Sequence, residues 1–167
     1  MTPDDFRSAM RQIPAAVTVV TSSARGVCHG LTVTAVASVS VDPPQVLVCV
    51  NRATRSSTAI SAAGRFGLNY LGAEHIELAE VFAAPTGDPE DRFRRTRWNA
   101  NPSGTPLLLD ALVAFECVVV NEIHSGTHAI FIGQVIDVRC RKGHALTYQR
   151  GAFSRPNLSP GPTLPKP

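Results

Sequence analysis

The 167-residue chain is predicted to fold as a mainly-β barrel carrying a few short helices. Three observations lead there. At least six segments are rich in Val, Ile, Thr and Phe, several with strict in–out alternation. Helical periodicity is confined to short stretches. The regular strand–helix alternation of a doubly wound sheet is missing.

The first element reads as a helix. In TPDDFRSAMRQI, Thr2 suits the N-cap, Pro3 the first helical position, and Asp4 and Asp5 the positive end of the helix dipole. Phe6, Ala9, Met10 and Ile13 recur on one face, and Pro14 ends the run. The period then changes to that of strands in AAVTVVTS, GLTVTAVASVSV, QVLVCVN, FGLNYL, ALVAFECVVVNEI and AIFIGQVIDVRC. QVLVCV and LVAFECVVV are apolar throughout, which predicts burial on both faces. Asp42-Pro43-Pro44 and Gly104-Thr105-Pro106 punctuate the strands. Two more helices are expected at 55–64, closed by Gly64, and at 73–82, with Ile76, Ala79 and Phe82 on one face. The Pro- and Gly-rich stretch 83–106 reads as a long surface loop, a kind of segment that often serves function. Residues 1–153 form one domain in this reading. The tail 154–167, with five of the 13 prolines within 156–167, reads as extended or disordered.

Composition removes several functions. The net charge of +3 is spread out apart from DRFRRTR (91–97), with no basic stripe or recognition helix for nucleic acid. Cys28, Cys49, Cys117 and Cys140 form no CxxC pair, and Cys49 and Cys117 sit in apolar runs as small hydrophobes. The amino terminus lacks a signal-peptide core and no run reaches the ~18 apolar residues of a membrane helix, so a cytoplasmic location is expected. GxGxxG, GxxxxGK[ST], HExxH and GxSxG are all absent.

Three stretches can carry chemistry. In NRATRSSTAI (51–60) a strand ends at Asn51, and a loop with Arg52 and Arg55 enters a helix opened by Ser56, Ser57 and Thr58. That is either an anion cradle at a helix N-terminus or a plain cap beside solvated arginines. In TVTAVASVSVDPP (32–44) Thr32, Thr34, Ser38 and Ser40 alternate with Val and Ala. On one strand they give a narrow polar face suited to a flat ligand, or simply a half-exposed strand. In HSGTH, His124 and His128 flank a turn; if both lay on one strand they would be about 13 Å apart, too far to share a metal ion, and if the turn brings them closer no spacing supplies the Cys or carboxylate partners. His124, His29 and His144 read as surface groups.

The ordered set GLTVTAVASVSVDPPQVLVCVNRATRSSTAI, FGLNYL, DRF, Trp98, GTPLLLDALVAFECVVV, GTHAIFIGQV and LTYQRGAF resembles the flavin reductase-like, FMN-binding split-barrel family. The likeness runs from about Phe6 to Phe153. Within the family it is strongest to the reductase components of two-component flavin-dependent monooxygenases, such as that of 4-hydroxyphenylacetate 3-monooxygenase.

The resemblance implies a split β-barrel of Greek-key type that binds FMN or FAD along Thr32, Val33, Thr34, Ala35, Ser38 and Val39. It implies a phosphate site at Cys49, Asn51, Arg55, Ser56 and Ser57, with Phe82 an aromatic near the flavin. It places NADH, less readily NADPH, beside His128, Tyr148 and Arg150, with Thr127 standing where many members have Asp. It further implies a homodimer that supplies reduced flavin to a monooxygenase by hydride transfer. Two alternatives stand beside it: a barrel with tightly held FMN acting on its own substrate, and a non-enzymatic flavin- or haem-binding barrel.

Overall fold

The computed structural model describes residues 1–84 and 88–156. The chain runs α1 (Pro3–Met10), β1 (Ala15–Ala16), β2 (Thr18–Ala24), β3 (Val27–Val33), β4 (Val36–Val41), β5 (Pro44–Asn51), α2 (Arg55–Ala63), β6 (Arg65–Tyr70), α3 (Ile76–Ala83), α4 (Pro89–Arg94), β7 (Trp98–Ala100), β8 (Pro106–Leu108), β9 (Val113–Ser125), β10 (His128–Cys140), β11 (Thr147–Gln149) and β12 (Ala152–Ser154). Seven strands form one antiparallel sheet in the order β3-β2-β6-β9-β10-β5-β4, while β1-β11-β12 and β7-β8 make small sheets beside it.

The two edge strands of the large sheet are consecutive in sequence. Only Thr34 and Ala35 separate β3 from β4, so three Cα steps hold Val33 and Val36 within about 11 Å. A seven-stranded sheet whose opposite edges meet must roll up. Because β3 and β4 do not pair with each other, it closes as a split barrel with its seam at residues 34–35. β5 and β6 are separated by β10 and β9, and α2 carries the chain across.

The barrel interior packs Val20, Val33, Val46, Val48, Val50, Ile60, Phe66, Leu68, Cys117, Ala129 and Phe131. A second core lies outside the wall, where α3 and β8 bring Leu78, Ala79, Phe82, Leu107 and Leu108 onto Val17 and Val19 of the opposite face. Val19 and Val20 thus serve different cores, as alternation along a strand requires.

The helices follow local signals. Thr2 and Asp5 form a capping box on α1, with the Asp5 carboxyl held below its ordinary range by its hydrogen bonds to Thr2. Thr54 caps α2 by accepting from Ser57 N–H, and Gly64 ends it in the left-handed region at φ 64°. In α3, Ala79 and Phe82 are buried as expected, while Ile76 is 40% exposed.

Several expectations need correction. The first helix ends at Met10, short of the expected Ile13, and Phe6, Met10 and Ile13 are each at least half exposed. The 83–106 stretch is not one loop; it contains α4 and β7, with Phe93 and Trp98 packed edge-to-face against Phe82 at centroid separations of 5.2 and 5.7 Å. Residues 85–87 of it, and 157–167 of the predicted tail, lie outside the described residues. The apolar strands are not buried on both faces of the single chain. Val46, Val48 and Val50 are buried, but Leu47 and Cys49 between them are only partly covered. None of the four cysteines forms a disulfide.

Candidate functional site at the barrel seam

A cleft of about 370 Å³ opens at the seam, lined by Leu31 to Ala35 of β3 and the following turn, Cys49 and Asn51 of β5, Ala83, His128, Tyr148 and Phe153. Five separated segments meet there. Eight residues singled out from the sequence line it: Thr32, Val33, Thr34, Ala35, Cys49, Asn51, His128 and Tyr148.

The seam turn supplies polar backbone. Ala35 C=O accepts from Cys49 N–H at 2.9 Å and Thr34 C=O from Val36 N–H at 3.1 Å. The N–H groups of Thr34 and Ala35 have no hydrogen-bond partner among the described residues, and both residues are exposed. They leave two backbone donors, without a protein acceptor among the described residues, on residues that line the cleft. Thr32 behaves differently: its hydroxyl donates to Ala79 C=O at 2.7 Å and ties β3 to α3.

The expected single strand of hydroxyls is therefore broken. Thr34 stays at the cleft, while Ser38 and Val39 lie on β4, exposed and away from it. Ser40 turns back to Asp42 C=O. A register shift between Ser38 and Ser40 marks a bulge at Val39, which disrupts the alternation further.

Asn51 leads from the cleft into the start of α2. Its side-chain oxygen accepts from Ala53 N–H at 2.9 Å and its backbone oxygen from Thr54 N–H at 3.0 Å. Ser56 and Ser57 are buried in the first turn of the helix, and Arg52 and Arg55 are exposed beside it. This first turn follows the cleft along the chain but is not part of its wall. His29, on β3, has its pKa lowered by partial burial and then by the Arg55 charge, so the two lie within electrostatic reach. Burial pushes the Cys49 thiol up and Cys117 to about 12, so neither is poised as a thiolate nucleophile.

His128 opens β10 directly after the Gly126-Thr127 turn. It pairs with Ser125 on β9 and with Asn51 on β5. Gly126 has φ 54° while Thr127 keeps a negative φ, the pattern of a type II′ hairpin. Thr127 is anchored twice: its C=O accepts from Arg52 N–H at 3.0 Å and its hydroxyl lies 2.9 Å from His128 Nδ1.

The two histidines are not four residues apart on one strand; they lie on facing strands of a hairpin. His124 pairs with Ala129, so its side chain leaves the face opposite to that of His128, and its Nε2 meets Glu122 Oε1 at 2.8 Å. The shared-metal reading fails on facing rather than on distance. Among the described residues no group of three His, Cys, Asp or Glu side chains is arranged to hold a metal.

Two other expected residues sit elsewhere. Phe82 is fully buried beneath Gly30; its chain neighbour Ala83 lines the cleft instead. Arg150, at φ 53° with Gly151 at 84° in the β11–β12 turn, donates from its backbone to Arg11 C=O at 2.7 Å and from Nε to Gln12 Oε1 at 3.0 Å. It anchors the hairpin to the end of α1 and does not line the cleft.

The sequence reading missed Leu31, Ala83 and Phe153 as lining residues. The first two look like any core residue. Phe153 had a detectable signal: the Arg-Gly turn after TYQ pairs it with Tyr148, and the two rings pack at 5.3 Å.

Comparisons with known proteins place the chain in a family. Residues 10–156 match the flavin reductase like domain. The chain is 38% identical over 133 residues to "FMN reductase (NADH) RutF" of Ancylobacter novellus, covering 80% of this chain and 73% of that protein. It is 36% identical over 149 residues to the reductase component of 4-nitrophenol 4-monooxygenase/4-nitrocatechol 2-monooxygenase of Rhodococcus opacus, covering 89% of this chain and 78% of that protein. The structure of the Streptomyces globisporus C-1027 NADH:FAD oxidoreductase SgcE6 in complex with NAD and FAD fragments superposes with a TM-score of 0.86 at 29% identity, covering 96% of each chain. No helix among the described residues is long and apolar enough to cross a membrane. With the seam, the cleft and a family match over nearly the whole chain in agreement, this protein belongs to the flavin reductase-like domain family.

Proposed function

We propose that the protein is an NADH-dependent flavin reductase that takes FMN or FAD into the seam cleft and passes reduced flavin to a partner monooxygenase. The observation that carries this is the cleft itself, where mostly apolar walls meet backbone donors that have no protein acceptor among the described residues. The walls from Leu31, Val33, Ala83 and Phe153 suit an apolar ring system, and Thr34 and Ala35 N–H suit its polar edge. When bound, flavin supplies the hydride acceptor for reduced nicotinamide.

The chain's own groups do four things in this reading. The apolar walls exclude water from the ring faces. The Thr34 and Ala35 amides offer hydrogen bonds where negative charge grows on the ring edge. Arg55, Ser56 and Ser57, at the N-terminus of α2, receive the phosphate. His128, with Tyr148 beside it, orients the nicotinamide across the cleft, and no acid or base is required of either. Ser38, Val39, Phe82 and Arg150 have no contact role in it.

The active form is a cytoplasmic homodimer. Val120, Ile123, Ile136 and Val138 on β9–β10 and Val39 and Val41 on β4 are all more than 40% exposed in the single chain, and a partner subunit would cover such a surface. NADH is preferred to NADPH.

The test mixes purified protein with NADH or NADPH and an excess of FMN or FAD. Many turnovers of NADH per protein with at least one flavin are expected, with flavin lost on dialysis. No turnover with either flavin contradicts the reading. Turnover on a flavin that survives dialysis without exchanging favours a tightly bound flavoprotein acting on its own substrate.

A further inference from the structure

We propose that Thr127 is a positioning residue for His128: its hydroxyl donates to Nδ1, fixes the neutral Nε2–H tautomer and presents Nε2–H to the cleft as an uncharged donor for a carboxamide oxygen. The proposal rests on the reading of the cleft as a nicotinamide site, and carries it to a single ring atom.

Three observations support it. The Thr127 hydroxyl lies 2.9 Å from His128 Nδ1, and His128 lines the cleft. The turn that carries the hydroxyl is fixed independently, by Arg52 N–H on Thr127 C=O at 3.0 Å and by the ladder pairs of His128 with Ser125 and Asn51. The hydroxyl is thus held beside the ring by backbone bonds rather than by the ring itself. Third, among the described residues no carboxylate lines the cleft.

The groups that face His128 decide its charge. From β5 they are Cys49 and Asn51; from β11 and β12, Tyr148 and Phe153; from β3 and the seam, Leu31 to Ala35; from α3, Ala83. Arg52 reaches the turn through its backbone, and the Glu122–His124 pair lies on the other face of the hairpin. None of these is an anion that would stabilise an imidazolium in the cleft. A hydroxyl proton on Nδ1 requires that nitrogen to be unprotonated, which leaves the ring proton on Nε2.

An uncharged donor has a chemical consequence. It recognises a neutral carbonyl oxygen without attracting a proton or a counter-ion.

The test reads the tautomer and the kinetics separately. Nitrogen-15 spectra of the imidazole in the histidine-labelled full chain report which nitrogen carries the proton, and need no activity. The wild type is expected to show protonated Nε2 and bare Nδ1. Thr127→Val is expected to give mixed tautomers and an NADH KM raised about three- to tenfold, the worth of one ordinary hydrogen bond, with kcat nearly unchanged. Thr127→Ser should restore both readouts. Thr127→Asp should place a carboxylate on Nδ1, hold the ring charged to higher pH and make KM pH-dependent between about pH 6 and 8.

A wild-type ring protonated on Nδ1, or a Thr127→Val protein with unchanged spectrum and KM, overturns the proposal. Absence of NADH turnover in the wild type would overturn the flavin reductase reading instead, and leaves the spectrum as the deciding readout for Thr127.

Discussion

The hydroxyl of Thr32 donates to the carbonyl oxygen of Ala79 at 2.7 Å, across 47 positions of sequence, and joins β3, one wall of the cleft, to α3, whose last residue Ala83 lines another. Thr32 looks from sequence like a ligand contact, but its hydroxyl is already engaged. Thr32→Val keeps the shape and removes the bond. It is expected to cost about 0.5–1.5 kcal/mol in a urea titration. Flavin affinity should also fall about three- to tenfold in a fluorescence titration, because α3 is freer to drift from β3. Thr32→Ser should behave as wild type. Unchanged affinity in the Val variant would show that cleft width does not depend on this bond.

Gly30 is where the Phe82 ring passes over β3. A Cβ there would lie 2.5 Å from Phe82 Cε1 and 2.8 Å from Cδ1, with Phe93 Cζ at 3.3 Å. Gly30→Ala must displace a ring that is fully buried between Phe93 and Trp98. A loss of about 1–3 kcal/mol is expected from overpacking. Phe82→Ala should cost more, about 3–5 kcal/mol, through the cavity it leaves. Thermal melts of both variants check the order; a Gly30→Ala protein as stable as wild type would mean the ring yields freely.

Asn69 is a buried polar clasp. Its Nδ2 donates to Val19 C=O at 3.0 Å and Thr21 Oγ1 at 3.2 Å, while its Oδ1 accepts from Leu108 N–H at 2.8 Å. Thr21 completes the link by donating to Pro106 C=O at 2.6 Å, so β8 is held to the barrel wall by side chains. Asn69→Ala leaves Leu108 N–H buried without its acceptor and should cost roughly 2–4 kcal/mol. Asn69→Asp should be worse, since a carboxylate would face Val19 C=O with no proton to donate. Denaturant midpoints of the two variants measure this.

Burial, and then the Arg55 charge, depress the His29 pKa below its ordinary value of about 6.5. Above that pH the ring is neutral in both folded and unfolded chains and has no effect. As pH falls below about 6.5 the unfolded chain takes up a proton that the folded one refuses, so stability drops until the folded value is passed. His29→Gln should flatten this part of the profile. Urea midpoints at about pH 7.5 and 5.5 provide the comparison; equal pH dependence in variant and wild type would contradict it.

How much the sequence disclosed depends on whether the cause was local. The caps at Thr2 and Gly64 rest on neighbouring residues and were readable. The break at Thr34-Ala35 was not, because TVTAVASVSV alternates without interruption; the cause lies in the two sheet edges meeting there. The short helix α4 was hidden by its proline and its dense charges, and its packing comes from distant Phe82. At the site, polar and histidine positions stood out from sequence, while Leu31 and Ala83 carry no sign that separates a cleft wall from a core. Arg150 and Phe82 lie outside the cleft wall, Arg150 bonded to Gln12 and Phe82 packed under Gly30, contacts set by residues distant in sequence.

The central claim is that the cleft at the seam is where flavin is reduced. Ala35→Trp tests it most directly, because residue 35 is exposed at the cleft mouth and a large ring there fills the slot while leaving the core packing alone. The measurement is steady-state NADH oxidation with saturating FMN and FAD, alongside a thermal melt. The account predicts wild-type turnover with at least one flavin and a loss of at least about a hundredfold in the variant, with its melting temperature preserved. Full activity in a folded Ala35→Trp protein would contradict it and move the reaction to another part of the molecule.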